Sequence, residues 1–253
     1  MQTGWLSCVK GKLHKKRSCK QVPESCNNSM KGLLKMEDRS NERKKIGFYD
    51  YTVILTYTGF LFAFMGILRA VNERYWDAVV CLLLAGICDM FDGAVASTKK
   101  RNKQEKQFGI QIDSLSDLVS FGILPAVFVY MLSGREFYVG ILSAIYALCA
   151  LIRLAYFNVL EEERQEHESG CRKSYLGLPV TTVAICLPAI YMIYDEKLLN
   201  TKFAFSVMLA VLGVAFLLPV EIKKPKIVGK LVLIIFGTLE AIGLLYMALW
   251  GAV

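Results

Sequence analysis

Seven apolar stretches separated by short polar segments dominate the chain beyond residue 50. They run over about Tyr51–Leu68, Ala78–Ala96, Ile110–Leu132, Phe137–Phe157, Leu178–Tyr194, Phe203–Val220 and Ile227–Trp250. Most approach the roughly 17–25 residues that an α-helix needs to cross a bilayer. The period-two alternation of a membrane β-barrel is absent, so backbone polar groups have to be satisfied inside helices. The pattern predicts an all-α, polytopic membrane helix bundle of about seven spans, within a range of six to eight.

Composition sharpens this. Of the 253 residues, 55% are hydrophobic, and the charges cluster between the apolar runs. That combination argues against a soluble domain. Residues 1–47 carry twelve Lys or Arg against four Asp or Glu, a local excess equal to the +8 of the whole chain. They lack the apolar core of a signal peptide. A basic tail, disordered or lying at the interface and drawn to anionic headgroups, is expected there. The segments 97–109, 158–176 and 221–230 hold twelve Lys or Arg, against five in 69–77, 133–136 and 195–202. By the positive-inside rule the first set faces the cytoplasm.

The polar pattern inside the apolar runs is the informative part. Asp89 and Asp92 lie three apart, and Gly109, Asp113 and Asp117 lie four apart. Each set therefore shares one helix face. Two helices joined by a short loop would aim four carboxylates into one space. Carboxylates at membrane depth cost about 2.5–3.5 kcal/mol each on insertion scales, and four together repel one another. Hard divalent cations such as Mg²⁺ or Mn²⁺ relieve both problems, and such ions can clamp a pyrophosphate. Gly93 and Gly109 lack a Cβ and would let a bulky ligand reach the helix backbones.

The run Asp89-x2-Asp92-Gly93-x2-Ala96, followed by Gly109-x3-Asp113-x3-Asp117, resembles the signature of the CDP-alcohol phosphatidyltransferases. Ser97 stands where that signature has Arg, and the eleven residues between Ser97 and Gly109 make a longer loop than usual. The basic loop, the segment Phe108–Asp117, Arg153-Leu-Ala-Tyr-Phe-Asn158 and Gly177-Leu-Pro-Val-Thr-Thr182 resemble the phosphatidylserine synthase branch. The resemblance covers roughly residues 48–190. It implies that Asp89, Asp92, Asp113 and Asp117 hold one or two Mg²⁺ or Mn²⁺ ions, with Asp117 also the general base. It implies CDP-diacylglycerol and L-serine as substrates, and a homodimer. Gly93, Ala96 and Gly109 would make room for the nucleotide, and Lys99, Lys100 or Arg101 would replace the missing motif arginine. The site would open at the cytoplasmic face of a bacterial cytoplasmic membrane, with membrane lipids around it and no nucleic acid partner. Residues 48–194 would form the catalytic core, and 195–253 would add further spans.

Other residues carry less specific signals. Arg153, near one end of the fourth span, would bind a phosphate or snorkel to the interface. Asn158 would line or support the same pocket. Thr56 is expected to bond back to its own helix, and Gly177 and Pro179 to shape the start of the fifth span. Cys81, Cys88, Cys149 and Cys186 read as core filler, and the N-terminal cysteines lack zinc-finger spacing. His14-Lys15-Lys16 begins a His-x-Lys-x4-Asp motif, but Gln21 occupies its Asp position, which excludes a histidine-based phosphoenzyme of that type. Two alternatives stay open: the same chemistry with inositol phosphate or glycerol phosphate, and a divalent-cation transporter, which would call for inverted repeats.

Overall fold

The computed structural model describes residues 47–99, 101–167, 174–193, 199–219 and 221–223, with 237–240, 242–243 and 246 near the C-terminal end. The basic segment 1–47, Gly47 apart, lies outside the described residues, as does most of the expected seventh span. One compact unit covers Phe48–Val253. Its helices are α1 (Tyr51–Val71), α2 (Tyr75–Ala96), α3 (Lys103–Asp117), α4 (Leu124–Leu132), α5 (Phe137–His167), α6 (Val183–Met192) and α7 (Leu199–Leu217). A π-helical turn, Leu118–Ile123, fuses α3 to α4, and a 3₁₀ turn, Val180–Thr182, precedes α6. One short antiparallel ladder, β1 (Ser174–Leu176) against β2 (Glu221–Lys223), lies outside the all-α expectation without changing the class.

Four helical segments are long and apolar enough to cross a membrane: Tyr51–Val71, Tyr75–Ala96, Lys103–Leu132 and Phe137–Glu163. With the shorter apolar helices Val180–Met192 and Phe203–Leu217, they define an integral membrane protein. The fifth apolar run is shorter than expected from hydropathy. Gly177 takes a left-handed φ of +79° and Pro179 is extended, so helix starts only at Val180.

Helix α1 buries a stripe of small residues at helical spacing: Thr52, Thr56, Gly59, Ala63, Gly66 and Ala70. Small side chains let α2 come close. A Cβ on Gly59 would sit 3.1 Å from Cys88 Cβ, and one on Gly66 only 2.9 Å from Cys81 Cβ. The opposite face of α1, with Phe60, Leu61, Phe64, Met65 and Leu68, is exposed, as a lipid-facing surface requires.

The composite α3–α4 helix is the centre of the bundle. In its apolar window 61% of residues are buried, against 33–39% in the other three spans. It starts on a capping box in which Asn102 N–H donates to Glu105 Oε2 at 2.9 Å and the Asn102 side chain accepts from the Glu105 backbone. It changes pitch just after Asp117. Residue 125 of a regular α-helix would donate to the carbonyl of residue 121, and Pro125 has no N–H to give. The buried Tyr146 hydroxyl of α5 supplies the missing donor, 2.7 Å from the Phe121 carbonyl. The core packs on this axis, with Phe121, Leu124, Phe128 and Val129 meeting Leu82, Tyr146, Leu187 and Phe205.

Candidate active site

Asp89 and Asp92 occupy the last turns of α2, Asp113 and Asp117 the last two turns of α3, and the two pairs face each other. One carboxylate oxygen from each of Asp89, Asp113 and Asp117 lies within 4.8 Å of the other two. Asp89 meets Asp117 and Asp92 meets Asp113, carboxylate against carboxylate. Such pairs repel unless a proton or cation lies between them. The four acids bound a cavity of about 10 Å³, with Thr56, Ser116 and Ser120 among its polar walls and Gly59, Ala85 and Cys88 among its apolar ones. That volume admits one water-sized occupant. Every polar side chain lining it is a carboxylate or a hydroxyl, the donor set that hard divalent ions prefer.

The acids are held from outside by α1 and α5. Thr56 Oγ1 donates to the buried Asp92 Oδ2 at 3.2 Å. This corrects the expectation of a Thr bonded back to its own helix. Thr58 does that instead, with the Ile54 carbonyl at 2.8 Å. Ser116 Oγ donates to the Thr56 carbonyl at 3.4 Å, tying α3 to the same turn of α1. On the other side Ser114 Oγ donates to Asn158 Oδ1 at 2.6 Å, and Asn158 Nδ2 donates to Gln111 Oε1 at 3.4 Å. Both ends of the Asn158 amide are therefore engaged beside Asp113.

The remaining candidates separate. Gly93 is exposed, with nothing within 4 Å of where a Cβ would stand, and Ala96 is one turn further along α2. Together they leave an open rim beside Asp92. Gly109 is covered, since a Cβ there would lie 2.8 Å from Arg101 Nη1. Lys99 hydrogen-bonds Asp50 and lies 3.8 Å from Glu105; the Asp50 contact holds its ammonium above the usual lysine range. Lys100 lies outside the described residues. Arg153 is buried, donates towards the Leu178 and Gly177 carbonyls at 3.3 and 3.5 Å, and sits 5.7 Å from the centre of the Phe157 ring. Among those contacts it braces the turn into α6. Hydropathy could not reveal Thr56 as a partner of Asp92, although its place in the small-residue stripe of α1 puts it on the buried face.

The facing Asp-x2-Asp-Gly and Gly-x3-Asp-x3-Asp stripes of α2 and α3 both lie within the stretch that the family comparison matches. The chain belongs to the CDP-alcohol phosphatidyltransferase family, whose profile it matches over residues 52–219. It is similar to the archaetidylserine synthase of Methanothermobacter thermautotrophicus, 29% identical over 192 residues that cover 75% of each chain. It is also similar to the CDP-diacylglycerol–serine O-phosphatidyltransferase of Methanocaldococcus jannaschii, 30% identical over 66% of this chain and 75% of that one. The Bacillus subtilis protein of the same name is 25% identical over 68% of this chain and 88% of its own.

Proposed function

We propose that this chain is a CDP-diacylglycerol–serine O-phosphatidyltransferase, which transfers the phosphatidyl group of CDP-diacylglycerol to the hydroxyl of L-serine and releases CMP. The four-carboxylate cavity between α2 and α3 is the observation that carries the reading, and the names of the relatives support serine as the acceptor. Asp89, Asp92, Asp113 and Asp117 would hold Mg²⁺ or Mn²⁺, which when bound neutralises the diphosphate of the nucleotide lipid. Asp117 takes the proton of the serine hydroxyl as that oxygen attacks the lipid-linked phosphorus. The bond from that phosphorus to the CMP oxygen breaks, and CMP leaves with the electron pair. A carboxylate among carboxylates is a weak base, so alignment of hydroxyl and phosphorus supplies much of the rate.

The rest of the chain serves that geometry. Thr56 orients Asp92, and Asn158 with Ser114 and Gln111 fixes the α3–α5 seam beside Asp113. Gly93 and Ala96 give the nucleotide an open approach, and Arg153 holds the turn at Gly177. Acyl chains lie along the exposed apolar faces. The excess of Lys and Arg in the loops on one side supports a site that faces the cytoplasm, and in this reading the enzyme works as a homodimer in a bacterial cytoplasmic membrane. Residues 48–194 form the catalytic core, 1–47 a basic cytoplasmic tail and 195–253 added spans. The test is incorporation of labelled serine into lipid by purified protein supplied with CDP-diacylglycerol and Mn²⁺. Labelled phosphatidylserine is expected. Transfer only to inositol phosphate or glycerol phosphate would reassign the acceptor, and no transfer to any alcohol would sink the enzyme reading.

A further inference from the structure

The family signature places a cation at position 97, and this chain has none there. Ser97 turns its hydroxyl back to the Ala94 carbonyl at 2.6 Å. Two described basic residues follow it in the loop, and the structure treats them differently. Lys99 is committed to Asp50 and lies against Glu105, so its charge closes the loop onto the segment before α1. Arg101 immediately precedes Asn102, whose capping box fixes where α3 begins. Its guanidinium lies over Gly109, where an added Cβ would stand 2.8 Å from Nη1 and the guanidinium would have to shift. Gly109 belongs to the same helix stripe as Asp113 and Asp117. From there the charge of Arg101 acts on Asp92 and Asp113. Among the described residues no carboxylate forms an ion pair with it within 4.0 Å.

We propose that Arg101, seated on Gly109, is the substitute for the absent arginine at position 97 and binds the diphosphate of the cytidine nucleotide at the rim beside Gly93. This rests on the transferase reading and assigns one residue within it. An arginine suits the task because its planar fork engages two phosphate oxygens at once and stays charged at every relevant pH. Gly109 then has a role particular to this loop, since its missing side chain is the seat of the guanidinium.

The experiment is calorimetric titration of CDP into the purified full chain with Mn²⁺, alongside titration of Mn²⁺ alone. Arg101→Gln should weaken CDP about tenfold or more, the scale of a lost charge-assisted hydrogen bond. It should leave Mn²⁺ affinity unchanged or raised, because a cation has left the neighbourhood of the carboxylates. A collapsed site would lose Mn²⁺ as well, and that outcome would count against the proposal. Adding Ser97→Arg to Arg101→Gln should recover CDP binding, and Lys106→Gln, an exposed charge change one turn into α3, should not alter it. Gly109→Ala should weaken CDP in the wild type and add little in the Arg101→Gln background, since both changes remove the same contact. Wild-type CDP affinity in Arg101→Gln would overturn this inference alone. A wild type that does not bind CDP with Mn²⁺ would overturn it together with the transferase reading.

Discussion

Replacing Tyr146 by Phe isolates one interaction on which the shape of the central helix depends. The hydroxyl is buried and lies 2.7 Å from the Phe121 carbonyl, which Pro125 cannot serve. The ring itself stays in place, because Phe preserves its packing 5.7 Å from the Phe216 ring. The loss is therefore one buried hydrogen bond, about 0.5–1.5 kcal/mol. In a chain of this size each kcal/mol moves the melting temperature by about 2–4 °C, so a fall of about 1–6 °C is expected. Thermal unfolding in lipid nanodiscs measures it. In a Pro125→Ala background residue 125 regains an N–H, and the same substitution should cost less. A Tyr146→Phe protein that melts with the wild type would refute the assignment of this hydroxyl as the donor that completes the π turn.

Two further substitutions probe the walls of the site. Thr56→Val keeps the shape of the side chain but removes the donor to Asp92, and a bond to a charged group is worth about 1.5–3 kcal/mol. Mn²⁺ affinity should fall about tenfold or more and Thr56→Ser should restore it; unchanged Mn²⁺ binding in the Val variant would remove Thr56 from the site. Gly66→Ala puts a Cβ 2.9 Å from Cys81 Cβ and 3.0 Å from Leu124 Cδ2, an overpacking that costs about 1–3 kcal/mol. Its melting temperature should drop, while Gly93→Ala, which meets nothing within 4 Å, should hold its own.

Much of this architecture is legible from spacing. Asp89 with Asp92, and Gly109 with Asp113 and Asp117, fall on helix faces because 3.6 residues make a turn, and their convergence follows once a short loop joins the two helices. Helix positions follow from apolar length, so α1, α2 and α5 start within a few residues of where hydropathy puts them. What spacing leaves open depends on neighbours distant in sequence. Thr56 chooses Asp92 over its own backbone only because the small residues of α1 bring α2 close. Pro125 in an apolar run announces a disturbed helix, but the π turn also needs Tyr146 to satisfy Phe121. Lys99 and Arg101 are equivalent as charges in a loop, and only Asp50 and Gly109 tell them apart. The fifth span is shorter than its hydropathy because Gly177 and Pro179 delay the helix.

The most direct test of the four-carboxylate site as a serine transferase is CMP release from CDP-diacylglycerol, with and without L-serine, by the wild type and by Asp117→Asn. The wild type should release CMP only when serine and Mn²⁺ or Mg²⁺ are both present. Asp117→Asn should lose about a hundredfold or more of that rate, the range of a general base. CMP release that ignores serine, or an Asp117→Asn protein as fast as the wild type, would contradict the assignment.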